Sequence, residues 1–276
     1  MKFSLCNEVI AGLEFAVQCD LAAKLGYMGL EVAPFTLSDE PHLLTTAQAA
    51  TYRRQAEQAG IVVTGLHWLL ITPKGLSVTT ADAALRERTI DVLERLIGLC
   101  ASMGGTVLVH GSPAQRAVPP GESREVALER ALQVFSRVAA AARREGVTYC
   151  LEPLAGRETD FVNTVAEAAE IVDRIAEPAF RTMIDTSAAG ATESESVPTL
   201  IDTWLPTGRI AHIQVNDRNR RGPGQGEDQF TPVLKALRRQ NYRGVVAVEP
   251  FDYVPDGPTT AARSIGYLQG CLENVD

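Results

Sequence analysis

Nothing in this sequence offers a disulfide framework, a membrane span or a cationic surface, and each absence removes a class of function. The five cysteines, Cys6, Cys19, Cys100, Cys150 and Cys271, are odd in number and include no CxxC pair. That speaks against a disulfide scaffold or a zinc ribbon and for buried thiols. No run approaches the roughly 18 apolar residues of a membrane span, so no membrane partner is expected. The start Met1-Lys2-Phe3 lacks the basic segment, apolar stretch and small-residue cleavage site of a secretory signal. The expectation is a soluble, cytoplasmic protein. Positive charge is short as well: 26 Lys and Arg face 34 Asp and Glu, a formal net charge of −8, so no broad field gathers phosphate backbones and nucleic acid is not an expected partner. The one tight basic run, Arg218, Arg220 and Arg221, reads either as a local patch or as a solvated loop. Low-complexity segments are missing, and Gly222, Gly224 and Gly226 crowd a loop without the spacing of a nucleotide fingerprint.

What the chain does have is length and a repeated pattern. Its 276 residues, 45% of them hydrophobic, suit one large α/β domain spanning residues 1–276. Short β-rich runs ending in polar residues recur, each followed by a helical stretch. They are Phe3–Cys6, Gly29–Ala33, Val62–Leu66, Thr106–Val109, Thr148–Leu151, Thr182–Ile184, Ala211–Val215 and Val245–Val248. Val245-Val246-Ala247-Val248 is apolar throughout, as a parallel strand buried on both faces should be. Leu85, Thr89, Val92, Leu96, Cys100 and Met103 recur at steps of three and four, one apolar stripe closed by Gly104-Gly105. Thr164-Val165-Ala166-Glu167 has the spacing of a capping box and should start a helix. Eight such units predict a (β/α)₈ TIM barrel. A doubly wound open sheet alternates similarly, but it usually carries a nucleotide fingerprint after its first strand, and none follows Phe3–Cys6.

Residues just past the carboxyl ends of barrel strands converge on one mouth. Four candidates occupy such positions: Glu152 after Tyr149-Cys150-Leu151, Asp185 after Met183-Ile184, His212 within Ile210-Ala211-His212-Ile213, and Glu249 after Val246-Ala247-Val248. Their separations of 33, 27 and 37 residues each suit about one βα unit. Three carboxylates across one mouth repel and take up protons unless a positive charge sits among them. A divalent cation held by Glu152, Asp185, His212 and Glu249 answers that need. Three oxygens and one nitrogen favour Mn²⁺, with Mg²⁺ or Co²⁺ as alternatives, over a closed zinc site. The competing reading of any one of these acids is that it caps the next helix. His67 and His110 also fall at strand ends, in Leu66-His67-Trp68 and Val109-His110-Gly111, and each reads as a substrate contact or as a satisfied structural histidine. Trp68 either stacks on a sugar face or simply packs. Glu8, after Cys6-Asn7, would border the pocket from the first strand.

The stretch Leu151-Glu152-Pro153-Leu154-Ala155-Gly156-Arg157-Glu158-Thr159 with Asn163-Thr164 resembles the ketose 3-epimerases related to D-tagatose and D-psicose 3-epimerase. Three further stretches extend the likeness over most of the chain: Leu25-Gly26-Tyr27-Met28-Gly29-Leu30-Glu31, His212-Ile213-Gln214-Val215-Asn216-Asp217-Arg218 and Val248-Glu249-Pro250. These enzymes are sugar isomerases and epimerases of the xylose-isomerase-like TIM barrel superfamily. The resemblance implies a metal-dependent epimerase or isomerase of a small-molecule carbohydrate, a keto-sugar or related derivative. It implies Glu152, Asp185, His212 and Glu249 as metal ligands, with Glu152 and Glu249 also the catalytic acid and base pair. Glu158 and Arg218 would contact substrate hydroxyl and carbonyl oxygens, and a homo-oligomer is a further family expectation. Removal of the proton beside the carbonyl would give a metal-stabilised enediolate, and its return to the other face would invert the carbon. At one position the chain departs from the pattern. The family's histidine three residues after the metal Asp is Ala188 here, which leaves room for a bulkier keto-sugar derivative. It also keeps open a dehydratase or lyase acting on a 3-keto sugar or inosose. An apurinic-site endonuclease shares the barrel and strand-end histidines, but it needs several metals and more histidines than this chain brings.

Overall fold

A computed structural model describes residues 1–275. Eight parallel strands close a barrel in sequence order: β1 (Lys2–Cys6), β2 (Gly29–Val32), β3 (Val62–Leu66), β4 (Val107–His110), β5 (Thr148–Leu151), β6 (Phe180–Asp185), β7 (Ile210–Val215) and β8 (Val245–Val248). The seam is β1 on β8, with Ser4 opposite Ala247 and Leu5 opposite Val248. Around it lie α1 (Phe15–Leu25), α2 (Thr46–Gln58), α3 (Ala83–Met103), α4 (Arg124–Glu145), α5 (Val165–Ile175), α6 (Thr186–Thr192), α7 (Val197–Trp204), α8 (Phe230–Arg239) and α9 (Gly257–Leu272). The chain is a (β/α)₈ TIM barrel.

All eight strands fall where the sequence pattern puts them, with shifts at their ends. β2 stops before Ala33 because the Ala33 amide donates to Asn7 Oδ1 at 2.8 Å. β6 starts early at Phe180, whose buried ring stacks on Tyr149 of β5, and it runs on to Asp185, which pairs with Gln214. β4 runs one residue later than expected and ends at His110.

Strand periodicity sorts the side chains. Leu5, Leu30, Leu66, Leu108, Tyr149 and Val246 belong to the continuous core that includes the inner faces of the helices. Each large apolar side chain so buried contributes about 1.5–3 kcal/mol relative to exposure. Val107, Val109, Cys150 and Met183, with Ala211, form a separate small cluster that plugs the barrel. Two residues further along the same strands come Gly111, Glu152 and Asp185, so the apolar plug ends beneath an acidic layer. Gly65 of β3 is required by this closure, since a Cβ there would lie 2.3 Å from the Val107 carbonyl oxygen.

The helix limits follow their local signals. α3 ends at Gly104 in the left-handed region, φ +86°, where glycine has no steric penalty. α5 begins with the expected capping box of Thr164 and Glu167. All five cysteines are buried and free. Among the described residues no helix is long and apolar enough to cross a membrane.

Candidate active site

Carboxylate oxygens of Glu152, Asp185 and Glu249, delivered by β5, β6 and β8, lie within 4.8 Å of one another, and all three residues are buried. Asp185 does two things at once. Its Oδ1 accepts the Ala188 amide at 2.7 Å and starts α6, while its Oδ2 is buried without a partner. Both oxygens of Glu249 are likewise buried and unpartnered. Burial, then the charge of Asp185, pushes the Glu152 carboxyl well above the usual carboxylate range. Burial, then Glu152, does the same to Glu249, and burial raises Asp185 to about 7. Such a ring needs either protons or a cation.

His212 is not drawn within 4.8 Å of all three carboxylates. In the β6–β7 register it sits opposite Met183, one inward-facing layer below Asp185. Its Nε2 lies 2.7 Å from Oε2 of Glu31, a residue at 0% exposure in β2. Gln214 donates to Glu31 Oε1 at 2.7 Å. His67 Nε2 stands 2.8 Å from Glu8 Oε2 and 3.7 Å from Glu249 Oε1, and its Nδ1 is 3.8 Å from Glu31 Oε1. Burial works against charge on His67, but Glu8 and then Glu31 outweigh it and raise its pKa. Burial also opposes charge on Glu31, yet His212 and then His67 hold its carboxyl below the ordinary value. Cys6, Glu8, His67 and Glu249 thus form a second buried group whose ligand atoms lie within 4.8 Å.

Several residues hold this arrangement from behind. Arg116, fully buried, donates from Nη1 to the carbonyls of Glu152 at 2.6 Å and His110 at 3.3 Å. Asn216 donates to the Glu249 carbonyl at 2.8 Å and accepts the Ser187 amide at 3.0 Å, tying β7 and β8 to the start of α6. His110 turns away from the mouth toward α4: Nδ1 is 2.6 Å from the Tyr149 hydroxyl, and its ring meets Phe135 edge-on. Burial, then Arg116, pulls its pKa down to about 3, so it stays neutral.

At the rim, Trp68 adopts φ +51° and packs between Phe35 at 5.9 Å and Phe251 at 5.6 Å. The Arg220 guanidinium lies over Phe251 at 4.9 Å. A narrow cleft over Glu152 and Asp185 is bounded by Glu158, Ala188, Arg220 and Phe251. Glu158 Oε2 also accepts the Ala155 amide at 3.1 Å. Arg218 is directed elsewhere: exposed and paired with Asp228, it borders a separate cavity of about 350 Å³ between α6, α7 and the start of α8. The larger void is therefore not the one over the carboxylates.

Glu31, Arg116 and Asn216 are absent from the candidates read from sequence. Glu31 did carry a signal, a charged residue inside the otherwise apolar Gly29-Leu30-Glu31-Val32. Arg116 carried none, since a loop arginine is ordinarily solvated.

Several of the known proteins that this chain resembles are sugar epimerases. D-psicose 3-epimerase of Agrobacterium fabrum is 28% identical over 243 residues, covering 86% of this chain and 80% of that protein. The 3-dehydro-D-guloside 4-epimerase of Escherichia coli is 26% identical over 221 residues, covering 73% of this chain and 82% of that protein. The crystal structure of 3-keto-D-glucoside 4-epimerase from E. coli superposes with a TM-score of 0.84 at 19% identity, covering 98% of this chain and 100% of that one. The family model described as xylose isomerase-like TIM barrel matches residues 19–271, and the chain belongs to that family.

Proposed function

We propose that this chain is a divalent-metal-dependent epimerase of a keto-sugar, with Glu152 and Glu249 as its proton-transfer pair. The observation that carries the reading is the meeting of three buried carboxylates from β5, β6 and β8, with orphaned oxygens on Asp185 and Glu249. This oxygen-rich donor set fits a hard or borderline cation. Glu152, Asp185 and Glu249 would hold it with His212, and Mn²⁺ is the first candidate. When bound, the cation supplies positive charge beside the oxygens on which negative charge develops. Glu152 and Glu249 stand on strands three apart around the barrel and can address a substrate carbon from two sides. One carboxylate takes the proton beside the carbonyl, and the other returns a proton to the opposite face, which inverts the carbon. The relatives named 3-epimerase and 4-epimerase support the same chemistry.

A panel of free ketoses, phosphorylated ketoses and 3-keto glycosides, incubated with Mn²⁺-loaded protein in D₂O and followed by NMR, tests this. Deuterium should enter beside the carbonyl as the epimer appears, and Glu152→Gln and Glu249→Gln should lose at least about 10²-fold in rate. No deuterium in any substrate would sink the proposal. Loss of water, seen as a lighter product, would identify a dehydratase instead.

A second reading, that the substrate is a 3-keto glycoside rather than a free ketose, is favoured by Ala188. With a methyl in place of a family histidine, the cleft beside Glu158 and Phe251 gains room and loses a polar contact. Higher kcat/KM on a 3-keto glucoside than on D-psicose, reversed or reduced by Ala188→His, supports it.

A further inference from the structure

Glu31 is the one charged residue of β2, wholly buried, and the proton transfer just described makes no use of it. Its carboxylate is held asymmetrically. Oε1 accepts from Gln214 at 2.7 Å, with His67 Nδ1 at 3.8 Å and the Cys6 thiol at 3.8 Å. Oε2 stands 2.7 Å from His212 Nε2, a contact that closes the distance but not the angle of a hydrogen bond, and both atoms are otherwise unpartnered among the described residues. A neutral imidazole carries one N–H and one lone pair, so a carboxylate that takes the N–H of one nitrogen reserves the other nitrogen for a metal.

We propose that Glu31 is the positioning residue of the metal centre, holding His212 as the Nε2–H tautomer so that Nδ1 is the nitrogen offered to the cation. The fold supplies the reason for placing it on β2. His212 lies one layer below Asp185, and a partner for its far nitrogen has to come from across the barrel interior. Gly29, two residues before Glu31 on the same face, has no side chain because a Cβ there would meet the Val62 carbonyl oxygen at 2.4 Å. Glu31 is therefore the first side chain β2 can send inward. Glu8, through His67, and Gln214 brace it from either side. Outer partners of metal-binding histidines commonly govern affinity by about 10–100-fold. This inference rests on His212 being a metal ligand, as in the function proposed above.

The test compares wild type, Glu31→Gln and Glu31→Met without any sugar. Mn²⁺ affinity is read from the electron paramagnetic resonance signal of the free ion, and the His212 tautomer from long-range ¹H–¹⁵N NMR on metal-free and Mg²⁺-loaded protein. Wild type should show the Nε2–H tautomer. Glu31→Gln keeps an acceptor but loses the charge, so it should retain the tautomer and weaken Mn²⁺ binding about tenfold. Glu31→Met removes the acceptor and should give mixed tautomers and a loss nearer 100-fold. Should Glu31→Met fail to fold, the wild-type spectrum and Glu31→Gln still decide. A wild-type His212 protonated on Nδ1, or Mn²⁺ affinities of the variants within twofold of wild type, would overturn the assignment. Wild type that binds no divalent cation would overturn the proposed function itself, which separates the two failures.

Discussion

Gly111→Ala would add a single methyl group directly against the carboxylate of Glu152. Built with ideal geometry, the new Cβ falls 1.8 Å from Glu152 Oε2 and 3.0 Å from its carboxyl carbon. Contacts under 3.0 Å are essentially never seen for real Cβ atoms, so the oxygen must retreat by at least 1.2 Å, the difference between 3.0 and 1.8. A misplacement of about 1 Å at a reacting group costs on the order of 10²-fold in rate, which corresponds to about 2.7 kcal/mol in the barrier. The stability cost should be the smaller effect, about 1 kcal/mol, because the clash is with the end of a rotatable side chain. The assays are kcat/KM on whichever substrate the wild type turns over, Mn²⁺ affinity, and thermal melting. Gly98→Ala in α3 is the control, since a Cβ there meets nothing within 4 Å. Gly111→Ala with wild-type kcat/KM and wild-type Mn²⁺ affinity would refute the reasoning, because Glu152 could then be displaced without consequence.

Arg116→Met removes a buried donor from the Glu152 and His110 carbonyls and should lower stability by about 2–4 kcal/mol, read as a shift of the urea midpoint. An unchanged midpoint would show that the loop holds itself. His110, pulled down to about 3 against an ordinary value of 6.5, binds fewer protons folded than unfolded. Its contribution is therefore full above pH 6.5 and is lost as pH falls toward 3, with a ceiling of about 5 kcal/mol. His110→Gln should flatten that part of the profile, and parallel profiles for the two proteins would count against it. For Glu152, Asp185 and Glu249 the sign reverses. Their raised folded pKa values stabilise the metal-free protein at low pH, and that contribution is lost as pH rises past 4 and through neutrality. A cation replaces those protons, so Mn²⁺ should raise the melting temperature more at pH 8 than at pH 5. Equal shifts at both pH values would show that the ring is not the binding site.

The barrel was legible because its determinants are local and repeated. Apolar runs, helical stripes, a glycine stop at Gly104 and the box at Thr164 each report the element that contains them. The acidic ring was legible for a related reason: Glu152, Asp185 and Glu249 all sit at the ends of strands whose runs could be counted. What escaped is what depends on direction across the barrel. Whether His110 faces inward or outward turns on one residue of register, and β4 ends one residue later than its hydrophobic run suggested. That Arg218 pairs with Asp228, ten residues on in the same loop, and lines a second cavity is likewise a matter of side-chain direction. Arg116 is buried where the carbonyls of His110, Glu152 and Val162 converge on it, two of them more than thirty residues away, and nothing near it in the sequence announces that. Glu31 was visible as an acid in an apolar strand, but its partner His212 lies 181 residues later, a pairing that only the closed barrel creates.

Asp185 joins two tasks in a single side chain, because one oxygen seats the first turn of α6 while the other is left for the centre. Any change that tilts or unwinds that turn must rotate the carboxylate as well. If Asp185 holds the cation as proposed, the segment from Thr186 to Gly190 is a lever whose fulcrum is a ligand, and substitutions there can retune the centre without touching it. Variation at position 188 would then alter two properties together, the shape of the cleft and the orientation of the Asp185 carboxylate beneath it.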